Sequence, residues 1–124
     1  LTGGLVASST VSTGTSPRSV VADPRGKYLF LTDTEATIPG TLSVFTINRD
    51  PVALNPVGSP IATGINPVSI AVDTSGKFLY IANNGSNNIS VFSIDSGTGV
   101  LMSVGTVTAG TSPNSIVITT GAST

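Results

Sequence analysis

Apolar residues in this chain come in short runs, and Gly, Pro, Asn, Asp and Ser divide them. Val20-Val21-Ala22 and Ile70-Ala71-Val72 are apolar without alternation, as expected of strands covered on both faces. Asp23-Pro24-Arg25-Gly26 and Asp73-Thr74-Ser75-Gly76 follow them and read as tight turns, with Gly at the position that needs a positive φ. Tyr28 to Thr32 and Phe78 to Ala82 are then a second strand. Thr41 to Asn48 and Asn88 to Asp95 are a third, with Leu42, Val44, Phe45 and Ile47 matched by Ile89, Val91, Phe92 and Ile94. The stretch Val104 to Thr108 is polar and β-branched, which suits an exposed fourth strand. No window carries a 3.6-residue period with helix caps, so the pattern predicts an all-β protein.

The pattern repeats. Ser16 to Leu31 is matched by Asn66 to Ile81, and a third copy opens at Ser112-Pro113-Asn114-Ser115. Leu54 to Gly64 is matched by Leu101 to Gly110 and, earlier, by Leu5 to Gly14. The first copy carries about three extra residues in the loop Asp33 to Gly40, and one more near Pro60 to Ile65. Four short strands in every 40 to 50 residues is the signature of a β-propeller blade, a four-stranded antiparallel sheet. The expected organisation is an outer strand of a preceding blade in 1–14, blades in 15–64 and 65–110, and the inner strand of a following blade in 111–124.

Composition narrows the chemistry. Of the 124 residues only 9% are charged, the formal net charge is -1, and there is no His, Cys or Trp. A Ser-His-Asp triad, a thiol nucleophile, a disulfide framework and a Cys/His zinc site therefore cannot be assembled from this chain alone. Arg18, Arg25, Lys27, Arg49 and Lys77 are too few for a basic nucleic-acid surface. No apolar run approaches the ~18 residues of a membrane helix, so neither nucleic-acid binding nor membrane insertion is expected.

The motif G-x-x-P-x-x-I-A-V-D-x-x-G-K-x-L-Y-I-A-N is carried by Gly64, Pro67, Ile70 to Asp73, Gly76-Lys77 and Leu79 to Asn83. The motif N-x-I-S-V-F-x-I-D continues it at Asn88 to Asp95, and Ser96-Gly97-Thr98-Gly99 then leads to Leu101. Together these resemble the lactonase-type seven-bladed propellers and the related YVTN repeats of surface and secreted proteins. The resemblance spans almost the whole chain and implies the fold. For function it implies two alternatives: a non-enzymatic binding or scaffold module, or part of a lactone hydrolase of the 6-phosphogluconolactonase kind. No residue here matches a lactonase catalytic position, so no catalytic residue, metal or cofactor is expected within the chain.

A seven-bladed ring needs roughly 330 residues at ~47 per blade. The chain is thus expected to be an incomplete ring whose partners are other blades, either in a longer chain or in further copies of itself. Propeller ligands sit at one face, where loops enter the first strand and join the second to the third. That places Arg18, Asp33, Glu35, Asn66, Asn83, Asn84 and Asn114 as ligand-facing candidates. Asp23, Gly26, Asp73 and Gly76 recur at the repeat period and are expected to be structural, each Asp accepting hydrogen bonds from its own turn. Asn83 to Asn88 is oxygen-rich but lacks a carboxylate, which favours a turn over a Ca²⁺ site. Asn84-Gly85-Ser86 and Asn88-Ile89-Ser90 fit the glycosylation pattern. Low charge, abundant Ser and Thr and the lack of Cys suit a secreted, periplasmic or cell-surface setting better than the cytoplasm.

Overall fold

The computed structural model describes residues 16–34, 39–49 and 52–117. They form nine strands: β1 (Pro17–Ala22), β2 (Tyr28–Asp33), β3 (Pro39–Arg49), β4 (Val52–Pro56), β5 (Ile61–Ile65), β6 (Pro67–Val72), β7 (Phe78–Asn83), β8 (Asn88–Ile94) and β9 (Leu101–Thr108). Two antiparallel sheets result. The first runs β1-β2-β3-β4, with β5 also on β3, and the second runs β6-β7-β8-β9. Each sheet is one repeat, so the all-β, four-stranded blade architecture expected from the sequence is present. The strand expected at 111–124 makes no ladder within its described part, 111–117, and the expected outer strand in 1–14 lies outside the described residues.

The two blades share even their irregularities. Pro17 pairs with Asp33 and Ser19 with Thr32, while Pro67 pairs with Asn83 and Ser69 with Ala82, so both first strands bulge at the residue after proline. Proline has no N–H to give to a ladder, and a bulge there takes the unpaired residue out of register. The insertions are also visible. Between paired partners, residues 34–40 separate Asp33 from Thr41, whereas 84–87 separate Asn83 from Asn88. The fourth strand differs. It is continuous in the second blade but split in the first, because the extra residue falls in the break 57–60 between β4 and β5, where Gly58 has φ 67°. That is slightly earlier than the stretch Pro60 to Ile65 suggested by alignment.

One core lies between the blades. Directly paired residues share a sheet face. The face of the first blade with Tyr28, Phe30, Leu42 and Val44 meets the face of the second with Ile70, Leu79, Ile81, Phe92, Ile94 and Leu101. The non-alternating first strand is thus explained for β6: Ile70 points into this core, Ala71 points the other way, and both are 7% exposed. It fails for β1. Val20 is 56% exposed, because it pairs with Leu31 on the face turned away from the second blade.

The two repeated turns are built alike. Asp23 Oδ1 accepts from the backbone N–H of Lys27 and, at 2.9 Å, of Tyr28, and the Gly26 N–H donates to the Asp23 carbonyl at 2.9 Å. Asp73 Oδ1 accepts from Lys77 N at 2.9 Å and Phe78 N at 3.2 Å, and Gly76 N donates to the Asp73 carbonyl at 2.9 Å. Gly26 and Gly76 have φ 68° and 74°, the left-handed backbone that only Gly adopts freely.

Candidate functional site

Of the residues nominated from the sequence, Asn66, Asn84 and Asn114 come together at the blade ends where the first strands begin. Asn66, with φ 54°, turns the chain from β5 into β6, and its carbonyl accepts from Asn84 N at 2.9 Å. Asn84 starts the β7–β8 turn. Its Nδ2 donates to Asn114 Oδ1 at 2.9 Å and to the Pro113 carbonyl at 3.3 Å, while its Oδ1 lies 3.5 Å from Asn66 Nδ2. Asn66, Asn84 and Asn114 are therefore linked in one amide chain across three loops. Asn87, at the far end of the same turn with φ 56°, accepts from Ser112 N at 2.8 Å through Oδ1 and from Ala109 N at 3.0 Å through its carbonyl. Ser86 Oγ accepts from Ile65 N at 2.8 Å. Sequence reasoning missed Ser86 and Asn87; the only available signal was their place in a turn already dense in side-chain acceptors.

Asn83 has a different position from the one expected. It is fully buried, and its amide is consumed internally: Nδ2 donates to Asn88 Oδ1 at 2.9 Å and Ser90 Oγ at 2.8 Å, and Oδ1 accepts from Gly64 N at 3.1 Å. A Cβ on Gly64 would lie 2.6 Å from Asn83 Cγ, so Gly is required for this close approach. Asp33 occupies the equivalent position at the end of β2 and is also buried. Arg18 is exposed on β1 beside a shallow depression of about 180 Å³ that Pro17, Ser19, Val20 and Leu31 also line. It makes no bond to the amide chain. Glu35 lies outside the described residues.

The electrostatics are sparse. Asp73 is held off its ordinary value: partial burial pushes it up, but the Ser75 hydroxyl and the backbone N–H groups of Phe78, Lys77 and Gly76 outweigh this and hold it below the usual carboxylate range. Ser75 Oγ donates to Asp73 Oδ2 at 2.7 Å. Asp23 is paired instead with Arg25, Nε to Oδ2 at 3.5 Å. Among the described residues no three His, Cys, Asp or Glu side chains converge as a metal site, and no helix is long and apolar enough to cross a membrane. An uncharged groove of about 310 Å³ between the blades runs past Ile61, Thr63, Asn88, Ser90, Phe92 and Thr106. What the site can do is bind and orient through neutral amides and hydroxyls; amides of this kind do not relay protons near neutral pH.

A two-blade sheet repeat with this rim is a segment of a β-propeller. The model of the lactonase seven-bladed β-propeller family matches residues 38–118, about two thirds of the chain, and the chain belongs to that family. No curated protein matches the sequence. Among solved structures, a Bacteroides fragilis protein assigned provisionally as a 6-phosphogluconolactonase is 25% identical with a TM-score of 0.72, over 80% of this chain and 27% of its own. The periplasmic gluconolactonase of Pseudomonas aeruginosa is 19% identical, TM-score 0.68, over 82% of this chain and 29% of its own. A Lactobacillus plantarum protein is 18% identical, TM-score 0.69, over 86% and 31%. The chain thus spans less than a third of each of these structures.

Proposed function

We propose that this chain is a recognition and scaffold arc of a lactonase-type ring, with no catalytic machinery of its own. The observation that carries this reading is the rim Asn66–Asn84–Asn114, in which neutral side chains from successive loops fix one another's positions. Groups of this kind shape a mouth and offer hydrogen bonds to a polar, uncharged ligand such as a sugar lactone. Other blades are its partners, in a longer chain or as further copies. The exposed apolar face of the second blade supports this: Phe78 is 38%, Met102 70% and Val107 57% exposed, whereas Tyr28, the counterpart of Phe78, is 2% exposed beneath its neighbour. A secreted or periplasmic setting is proposed with it, supported by the periplasmic Pseudomonas relative.

The second reading is a lactone hydrolase whose reacting groups sit on other blades. Family membership and the two gluconolactonase-type structures favour it. The two readings separate in one experiment on the chain: titration with gluconolactone and its 6-phosphate, followed by amide chemical shifts and by lactone hydrolysis in parallel. The recognition reading expects shifts at Asn66, Asn84 and Asn114 without turnover. Turnover by the chain alone above the buffer rate overturns it, and shifts confined to other residues overturn the rim assignment.

A further inference from the structure

Asn84 and Gly85 form the one Asn-Gly dipeptide in the chain. An Asn followed by Gly is open to intramolecular ring closure, since no side chain on the following residue hinders approach of its backbone nitrogen to the Asn Cγ. The fold nonetheless requires both residues. A Cβ at position 85 would lie 2.6 Å from Ile65 Cγ2, so Gly is needed there, and Asn84 is the middle member of the rim chain.

We propose that Asn84 is a deamidation site gated by the segment around Pro113 and Asn114, and that the reaction converts the rim from holding that segment to repelling it. The Gly85 nitrogen gives its proton to solvent base and bonds to Asn84 Cγ. The Cγ–Nδ2 bond breaks, and the nitrogen leaves as ammonia with a proton from solvent. Water then adds to either carbonyl of the succinimide and opens that C–N bond, leaving aspartate or isoaspartate at 84. Water is the only co-reactant, and no oxidation or reduction occurs.

Two sets of bonds act as the brake. The Gly85 N–H donates to the Ile65 carbonyl at 2.9 Å, which withholds the attacking nitrogen. The leaving amide is held by Asn114 Oδ1 at 2.9 Å and the Pro113 carbonyl at 3.3 Å, which stops Cγ from swinging towards Gly85. Reaction therefore needs the β7–β8 turn to open and the 113–114 segment to lift. In the aspartate product a carboxylate stands where Nδ2 donated; in the isoaspartate product Cγ enters the backbone and the former main-chain carbonyl becomes the carboxylate, so the donor that held Asn114 and Pro113 is lost in both. Asn114 can rotate its amide and donate to the aspartate in turn, but the Pro113 carbonyl can only accept and faces its negative charge.

The test follows mass and ¹⁸O incorporation at the peptide containing residues 84 and 85, in mildly alkaline H₂¹⁸O. The samples are the native chain, the Asn114→Ala variant and the chain unfolded in urea. Deamidation is expected to be slowest in the native chain, several-fold faster in Asn114→Ala and fastest in urea. Equal native and unfolded rates, or a native rate unchanged by Asn114→Ala, overturn the gate. Asn84→Asp supplies a second reading that does not depend on the Asn114 variant. Hydrogen exchange should quicken at Ser112 and Ile116, whose N–H groups donate to Asn87 Oδ1 and Ser69 Oγ, while β7 and β8 keep their protection. Unchanged exchange at both amides overturns the proposed release.

Discussion

Replacing Asn83 by Ala tests a buried amide whose bond to Gly64 crosses between the blades while its bonds to Asn88 and Ser90 stay within the second. The native amide makes three hydrogen bonds, to Asn88 Oδ1, Ser90 Oγ and Gly64 N, and none of its surface reaches solvent. Each bond contributes about 0.5–1.5 kcal/mol net, and a donor stranded away from water costs ~1–3 kcal/mol. Ser90 Oγ and Asn88 Oδ1 each lose a donor, and the Gly64 N–H, fixed by the backbone, loses its acceptor. The expected loss is about 3 kcal/mol, a large part of the ~5–15 kcal/mol that holds a typical domain. With a urea slope near ~1.5 kcal/mol/M, the unfolding midpoint should fall by about 2 M. Asn88→Ala removes one bond and should cost about 1 kcal/mol. The assay is urea unfolding followed by far-UV circular dichroism, with hydrogen exchange at Gly64 as a local reading. An Asn83→Ala loss below about 1 kcal/mol, or unchanged exchange at Gly64, would refute the clamp.

Further tests address the turns and the free face. Gly99 has φ 80°, and a Cβ there would lie 2.7 Å from Tyr28 Cε1, so Gly99→Ala should cost about 2–4 kcal/mol in urea unfolding; Gly58→Ala, with φ 67° but open space around it, should cost only about 1. Tyr28→Phe removes the bond from the phenol to the Ser96 carbonyl at 3.1 Å and should cost about 1 kcal/mol. Asp73 has a lowered pKa, so its contribution is complete above the ordinary carboxylate value and fades as the pH falls through the lower folded one; an acid titration of stability should lose that part of its slope in Asp73→Asn. Phe78→Ser with Met102→Ser should reduce self-association in light scattering, with Met102, 70% exposed, contributing less to any fall in the unfolding midpoint than Phe78, 38% exposed.

The fold was legible because the repeat encodes it. Pro17 and Pro67, Asp23 and Asp73, Gly26 and Gly76 stand at the same step of each copy, and backbone chemistry at those steps leaves little choice. Strand positions followed from this, and so did the length of the loop after Asp33. What the repeat did not encode is which neighbour each residue meets. Asn83 was nominated for a ligand because its loop borders the channel face, yet its side chain turns inward to Gly64, a glycine nineteen residues earlier. The signal was present in the pairing of a glycine ending one blade with an asparagine ending a strand of the next. Without the sheet stacking, nothing in the sequence brings those two positions together. Asn66, Asn84 and Asn114 were legible as a group only as residues of neighbouring loops; their mutual bonds depend on rotamers that spacing does not specify.

The interface, more than the blade, is therefore the unit that sets each residue's environment. Tyr28 and Phe78 hold the same repeat position, yet one is sealed under the β8–β9 turn and the other stands 38% exposed. Asp23 and Asp73 end equivalent strands with the same backbone bonds. Asp23 is buried with the Gly76 turn beside it, a Cβ at Gly76 lying 3.6 Å from Arg25 Nη2 and 4.0 Å from Asp23 Oδ2, whereas Asp73 is only half-buried. Burying an aromatic or aliphatic side chain stabilises by about 1.5–3 kcal/mol, so covering Phe78, Met102 and Val107 would supply several kcal/mol that two blades alone do not realise. A third blade seated on that face should raise stability by more than its own intrinsic contribution, as nearest-neighbour coupling in repeat arrays requires. It should also bring Phe78 and Asp73 to the burial that Tyr28 and Asp23 already have. Extending the chain by one repeat and measuring the rise in urea midpoint, together with the loss of solvent quenching in a Phe78→Trp reporter, tests that coupling. A midpoint that does not move would mean that the exposed face is not an interface of the kind seen between the first two blades.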